Sequence, residues 1–381
     1  MGMLSWSIFI ASLAFVIYVF IDLKDFEEYV VRLAPVRPSE GKLARTAKNT
    51  INNIEYVLKG EIVNPECQVI HNGAIYTGSV TGHLYKIVND KIVKVIDVSK
   101  DNPKCKYNLC SVPLGMRYWK DEKVVYADAM LGIFVADFKT GEIKQVFTSR
   151  TYIGGWTHLF PDDFDFIDEE TIIFTDMNPK CGFERHIVCF FEYIKDGRVI
   201  TLNLNTGAWE VIAKDLLTPN GVVAHPDKQS ALVSSTSASQ ILRIFYKGPK
   251  KGQVEVFADG LPGIPDNIRQ SSSGKSFWIA FYESSVNGER PLYQRWSEYP
   301  KLRKLLAMLP EHFRYISATL FSSKEKVIIE MDFDGKIVSS LHDPEGRLSY
   351  VTNVVDDGKD LYIGSVSLPY IRRIRNFRNL S

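Results

Sequence analysis

Four side chains carrying hard oxygen atoms follow prolines in near-identical settings: Glu66 in "NPECQVIHN", Asp162 in "FPDDFDFID", Asn220 in "TPNGVVAHP" and Asp266 in "IPDNIRQSS". A fifth such turn, "VPLGMRYW", puts Leu114 in the same place. One Pro-Asn-Gly is a tight turn and nothing more, because Pro presets φ while Asn and Gly tolerate positive φ. Here Pro65, Pro113, Pro161, Pro219 and Pro265 recur at separations of 48, 48, 58 and 46 residues, each leading into an alternating apolar run. If the fold gathers these positions, three carboxylates and an amide would repel one another without a cation among them. A set of oxygens without thiolate or imidazole suits Ca²⁺ better than zinc or copper. Asn267, beside Asp266, offers one more amide oxygen.

The elements that must do the gathering are strands. Each turn is followed by a short β-rich run: "AIYTGS" at Ala74, "VVYADA" at Val124, "TIIFTD" at Thr171, "ALVSST" at Ala231, "SFWIAF" at Ser276 and "DLYIGS" at Asp360. A third run opens at Gly82, Gly132, Gly197, Ser239, Gly335 and Pro369. A repeat of roughly 50 residues made only of strands reads as a propeller blade. The sixth unit starts without proline at "YVTNVVDDG", where Thr352 takes the ring position. The fold class is therefore all-β, a six-bladed β-propeller over residues 54–381. The last unit lacks an outer strand, and "NIEYVLKG" (Asn53 to Gly60) is expected to supply it and close the ring. The fifth unit carries an insertion, Glu283 to Lys326, in which Leu302, Leu305, Leu306 and Leu309 fall at helical spacing. That predicts a helix, either packed on the propeller face, or forming a lid over the channel mouth, or resting on a membrane.

Residues 1–21 read as a transmembrane anchor. Met3–Ile21 is uncharged and about long enough for a ~30 Å hydrocarbon core, with no basic n-region or small-residue cleavage site. Residues 22–53 are polar and read as a stem. Cys105 and Cys110 are five apart, Cys181 and Cys189 eight apart, spacings that close small loops in an oxidising compartment. A Cys105–Cys110 disulfide is expected, the second pair is left open, and Cys67 reads as a buried free thiol. The basic residues after the apolar run argue the other way, but large domains translocate despite weak charge bias. The propeller is thus expected on the lumenal or extracellular side of the endoplasmic reticulum or plasma membrane. A net charge of +1 gives no electrostatic case for nucleic acid.

"TPNGVVAHP", "LPGIPDNIRQSSSGKSFWIAF", "SLHDPEG" and "LYIGS" resemble the strictosidine synthase-like branch of six-bladed propellers, over nearly all of Ile54 to Arg373. The wider superfamily includes paraoxonases, gluconolactonases and diisopropylfluorophosphatase. The resemblance implies Ca²⁺ at the ring positions and, in several members, hydrolysis of esters, lactones or phosphotriesters. Departures limit what carries over. The plant alkaloid synthase has a carboxylate at the start of its last inner strand, where this chain reads Tyr350-Val351-Thr352-Asn353, so strictosidine synthesis is not expected. Leu114 stands where paraoxonases carry a histidine, and Asp162 where an Asn is common. The expected function is a membrane-anchored, calcium-dependent hydrolase of small esters or lactones. Glu66, Asp162, Asn220, Asp266 and Asn267 would hold the metal, and Asp266 would be the catalytic group. His158, four residues before Asp162, reads as a rim residue. The alternative is a non-catalytic tethered propeller whose calcium is structural and whose face binds a partner protein.

Overall fold

The computed structural model describes residues 25–98, 111–156 and 159–380, together with Ser12; the rest of Met3–Ile21, Cys105, Cys110 and His158 lie outside the described residues. The described strands form six four-stranded antiparallel sheets, the blades of a propeller. Five blades use four strands in chain order. The sixth takes its outer strand from the start of the domain: Glu55–Val57 pairs with Ile371–Ile374, Glu55 opposite Arg373. This outer strand completes the sixth blade and ties the start of the domain to its end. Arg373 reinforces the join, reaching Glu55 at 2.6 Å and Asp90 of blade one at 2.8 Å.

Each blade buries its second strand completely or nearly so, as in Ala74–Ser79, while outer strands such as Lys91–Asp97 alternate between water and sheet. The core lies between neighbouring blades. Cys67, Tyr76 and Leu84 of blade one, for instance, pack against Met116, Val124 and Tyr126 of blade two. β-Branched and aromatic side chains suit such two-sided pleated surfaces.

The five proline-led inner strands share an irregularity. After Pro65, Pro113, Pro161, Pro219 and Pro265 the ladder slips, and pairing resumes three residues later at Gln68, Met116, Phe164, Val222 and Ile268. Two residues thus face one on the partner strand, the arrangement of a β-bulge, which re-aims side chains beside functional sites. The single residue opposite is small each time: Gly78, Ala127, Thr175, Ser234 or Ala280.

Helices enter two blades between their second and third strands. Helix α1 (Gly182–Glu192) lies in blade three. Blade five carries α2 (Leu292–Arg295), α3 (Pro300–Ala307) and α4 (Glu311–Thr319). The leucine spacing therefore does not run on as one helix; Pro310 starts α4 and separates it from α3. The third strand of blade five is Lys326–Asp332, and the run at Gly335 belongs to the fourth strand, Ile337–Asp343. That run therefore stands one place later in its blade than the repeat predicts, because the long insertion displaces the third strand. A buried Lys326–Glu283 ion pair pins the neck of the insertion.

The segment read as a stem lies along the propeller. Phe26 packs with Ile187 and Leu306, the Val31 amide donates to Ser297, Arg37 to Gly260, and Ile51 to His342. Cys181 and Cys189 are joined by a disulfide spanning α1, with Cα atoms 6.3 Å apart, and Cys67 is buried and free. Among the described residues no helix is long and apolar enough to cross a membrane.

Candidate functional site

The bulges bring the sequence-predicted ring together. Glu66, Leu114, Asp162, Asn220, Asp266 and Thr352, one from each blade, all line a single cavity of about 270 Å³. Its floor is acidic and amidic. Its walls are apolar, from Phe160, Met177 and Ile264 below and from helices α1 and α4 above.

Glycine permits the close approach of neighbouring bulges. A Cβ on Gly221 would lie 2.4 Å from the Asn267 Cα and 2.5 Å from the Asp266 carbonyl oxygen. Blade four therefore presses directly on the strand that carries Asp266. Gly221→Ala is expected to lower stability by about 1–3 kcal/mol, the usual cost of overpacking, and to displace Asp266. Chemical denaturation measures the first effect, and calcium titration of the variant the second.

The residue after each ring position has a different task. Asp163 is wholly buried and accepts from Arg269 at 2.7 and 3.0 Å, from Arg117 at 3.2 Å and from the Val222 amide at 2.9 Å. These bonds cross blades two to five and lock the narrow part of the channel. The two guanidinium groups hold Asp163 below the usual carboxylate range in spite of its burial. Asn267 is likewise turned away from the cavity; its Nδ2 donates to Glu66 Oε1 at 2.6 Å and so orients that carboxylate.

Apart from that bond to Glu66, the ring carboxylates have no such partners, and the two guanidinium groups serve Asp163. Burial raises the pKa of Glu66 to about 7, with the Asp163 charge adding to the effect and Arg269 opposing it. Burial, then the negative charge of Glu66, pushes Asp162 and Asp266 well above the ordinary Asp range. Buried oxygens are left over as well: Glu66 Oε2, Asn220 Oδ1 and Asn267 Oδ1 have no hydrogen-bond partner. The Asn220 amide nitrogen faces the Met177 sulfur at 3.8 Å, which leaves its oxygen for the cavity. Unpaired buried acceptors of this kind call for an ion or water. The donors are all hard oxygens and fit a cation of the calcium type in chemistry. Among the described residues, however, no three His, Cys, Asp or Glu side chains are grouped tightly enough to hold a metal by themselves. An ion here would need amide oxygens and water in its shell.

A histidine absent from the sequence reading lines the cavity: His186, on α1. Its Nδ1 is hydrogen-bonded to the Phe183 carbonyl, which makes Nδ1 the protonated nitrogen and leaves Nε2 an acceptor. Burial lowers its pKa, so the ring is neutral at pH 7. The disulfide and the packing of Ile187, Val188 and Phe191 against Tyr293 and Leu306 fix the helix that presents it. The fully buried Arg303 binds the carbonyls of Phe191, Tyr29 and Trp296, tying α1, the N-terminal segment and the insertion together.

The strictosidine synthase family model matches residues 162–249, which hold the blade-three and blade-four ring positions. The adipocyte plasma membrane-associated protein of Danio rerio is 31% identical over 330 residues, 85% of this chain and 78% of its own length. The chain belongs to the adipocyte plasma membrane-associated protein family. Solved propellers share the fold of this family member at lower identity. A gluconolactonase from Xanthomonas campestris aligns over 91% of this chain and 98% of its own, with a TM-score of 0.56 and 15% identity. A regucalcin from Agrobacterium tumefaciens, described as a calcium-binding protein, aligns over 85% and 94%, with a TM-score of 0.54 and 13% identity.

Proposed function

We propose that this member of the adipocyte plasma membrane-associated protein family is a membrane-anchored, calcium-dependent hydrolase of small esters or lactones. The observation that carries the reading is the cavity floor: three buried carboxylates and an amide oxygen, short of protein donors, beneath apolar walls. Glu66, Asp162, Asn220 and Asp266 would hold the ion, with Asn267 orienting Glu66. When bound, calcium supplies a Lewis acid for the substrate's carbonyl oxygen. The apolar walls take the acyl or ring part of the substrate and exclude bulk water. Asp266 faces the same space and acts as nucleophile or as base toward a water. Neutral His186, with Nε2 unencumbered, is a second group able to accept a proton from water at the cavity wall.

The anchor and the lumenal or extracellular placement are part of the same proposal. The apolar run Met3–Ile21 supports the first, and the Cys181–Cys189 disulfide and the relatives' plasma-membrane names support the second. The competing reading, a tethered propeller whose calcium is structural and whose face binds a partner protein, draws on the exposed apolar side chains of the blade-five insertion. Turnover separates them. Phenyl acetate and a set of five- and six-membered lactones should be hydrolysed by the purified full chain, activity should vanish with a calcium chelator, and added Ca²⁺ should restore it. No turnover of any of these at saturating calcium decides for the partner-binding propeller.

A further inference from the structure

The insertion in blade five leaves an apolar surface uncovered. Eight of the eighteen large apolar side chains exposed among the described residues fall between Tyr299 and Phe321. Leu302 and Leu305 on α3 are 37% and 55% exposed, Phe313 and Ile316 on α4 are 54% and 46%, and Leu320 and Phe321 follow directly. The rest are spread over other segments, many of them on blade strands. A clustered patch on a soluble domain marks an interaction surface. Helix α4 is two-sided: Tyr315, Ala318 and Thr319 line the cavity, while Phe313 and Ile316 face solvent. The patch and the roof of the site are therefore opposite sides of one element.

The place where the chain joins the domain identifies the occupant. The Asp25 carbonyl accepts from Lys180, just ahead of α1, and Phe26 is buried with Leu306 and Ala307 of α3. Ile21, the end of the apolar run, is four residues from Asp25, a reach of at most ~14 Å. An anchor in Met3–Ile21 would emerge beside the patch and hold it at the bilayer surface. Lys301, exposed on α3, supplies a flanking cation suited to lipid headgroups, while Lys304 lies 3.9 Å from Glu28 and over the Phe26 ring, tying α3 to the start of the domain.

We propose that the α3–α4 face lies on the lipid bilayer, with Leu302, Leu305, Phe313, Ile316, Leu320 and Phe321 entering the headgroup–acyl boundary, so that the cavity roof rests against the membrane. The proposal rests on the anchor reading and is independent of catalysis. The test uses the full chain reconstituted in phosphatidylcholine–phosphatidylserine vesicles, with a nitroxide attached through Leu305→Cys or Ile316→Cys. Val256→Cys, on an outer strand of blade four, is the reference, and unmodified protein corrects for native thiols. Relaxation by oxygen relative to a water-soluble nickel chelate should be several-fold higher at 305 and 316 than at 256. If the chain floats with vesicles but all three positions are equally open to the nickel chelate, the docking is overturned and the anchor stands. If the chain does not float with vesicles, both fall. Spin–spin broadening at 305 that disappears on dilution with unlabelled chain would assign the face to a second copy and also overturn the proposal.

Discussion

Asp266→Asn is expected to lower ester hydrolysis by at least ~10²-fold while calcium binding weakens but persists, the scale on which one positioned acid–base group acts. Asp266 sits in the first half of its bulge, lines the cavity, and is pressed from behind by Gly221 of blade four. Its carboxylate is crowded by the charges of Glu66 and Asp162. Asparagine keeps the shape and one oxygen ligand but has neither charge nor nucleophilicity. Glu66→Gln should behave differently. Glu66 is oriented by Asn267 and lies among the same charges, so its loss should weaken the ion's hold, and excess calcium should restore part of the activity. Both variants are to be assayed across calcium concentrations with melting temperature as the check on folding. Wild-type turnover by Asp266→Asn at saturating calcium would remove Asp266 from the catalytic role.

The propeller was legible because five of the six blades start in the same way. A proline cannot donate to a ladder, so it marks the strand entry at each of the five turns, and the sixth unit could be placed by spacing. The convergence of Glu66, Asp162, Asn220 and Asp266 followed from that symmetry alone. The bulge did not, because it depends on what the partner strand presents; small residues at Gly78, Ala127, Thr175, Ser234 and Ala280 were the available signal. Adjacency suggested Asn267 as a further ligand; in the bulge its Nδ2 turns to Glu66, outside the cavity lining, while its Oδ1 is buried without a hydrogen-bond partner. The blade repeat carries no signal for helix α1, although Phe183 and Ile187 between Cys181 and Cys189, and Phe190 just after, stand at helical spacing. His186 lies on that helix and outside the repeat, whereas His158 stands next to a ring turn. In the insertion, the leucine spacing pointed to helix but not to its break at Pro310, and it implied one buried face where Leu306 is buried and Leu302 and Leu305 are exposed. Composition cannot separate those cases, because an apolar stripe may face a protein core or a lipid surface.

The metal-free protein is expected to be more stable at pH 5 than at pH 7.5, and calcium to reverse the order. Glu66, Asp162 and Asp266 have folded-state pKa values raised above their unfolded values, Glu66 to about 7. Between pH ~4 and 7 the folded chain therefore binds more protons than the unfolded chain. Their contribution is fully present below the unfolded values and is lost as pH rises through the folded ones. His186 and His342, whose pKa values are lowered by burial, act in the opposite sense below ~6.5 and offset part of the trend. Asp163 and Asp227, held below the ordinary range, lose their contribution only at more acid pH. Each proton of difference is worth about 1.4 kcal/mol per pH unit, so a net loss of about 2 kcal/mol or more is expected between pH 5 and 7.5. A cation among the three carboxylates stabilises their charged forms and displaces their protons, so its affinity rises with pH. At a hundredfold excess over its Kd it adds about 2.7 kcal/mol to the folded state. Melting curves between pH 5 and 7.5, in chelator and in millimolar Ca²⁺ with Mg²⁺ as the control, measure both effects. A flat metal-free profile would mean that burial and mutual repulsion do not raise the pKa values of the three carboxylates in the fold. A falling profile that calcium leaves unchanged would keep the acidic cluster and remove calcium from it.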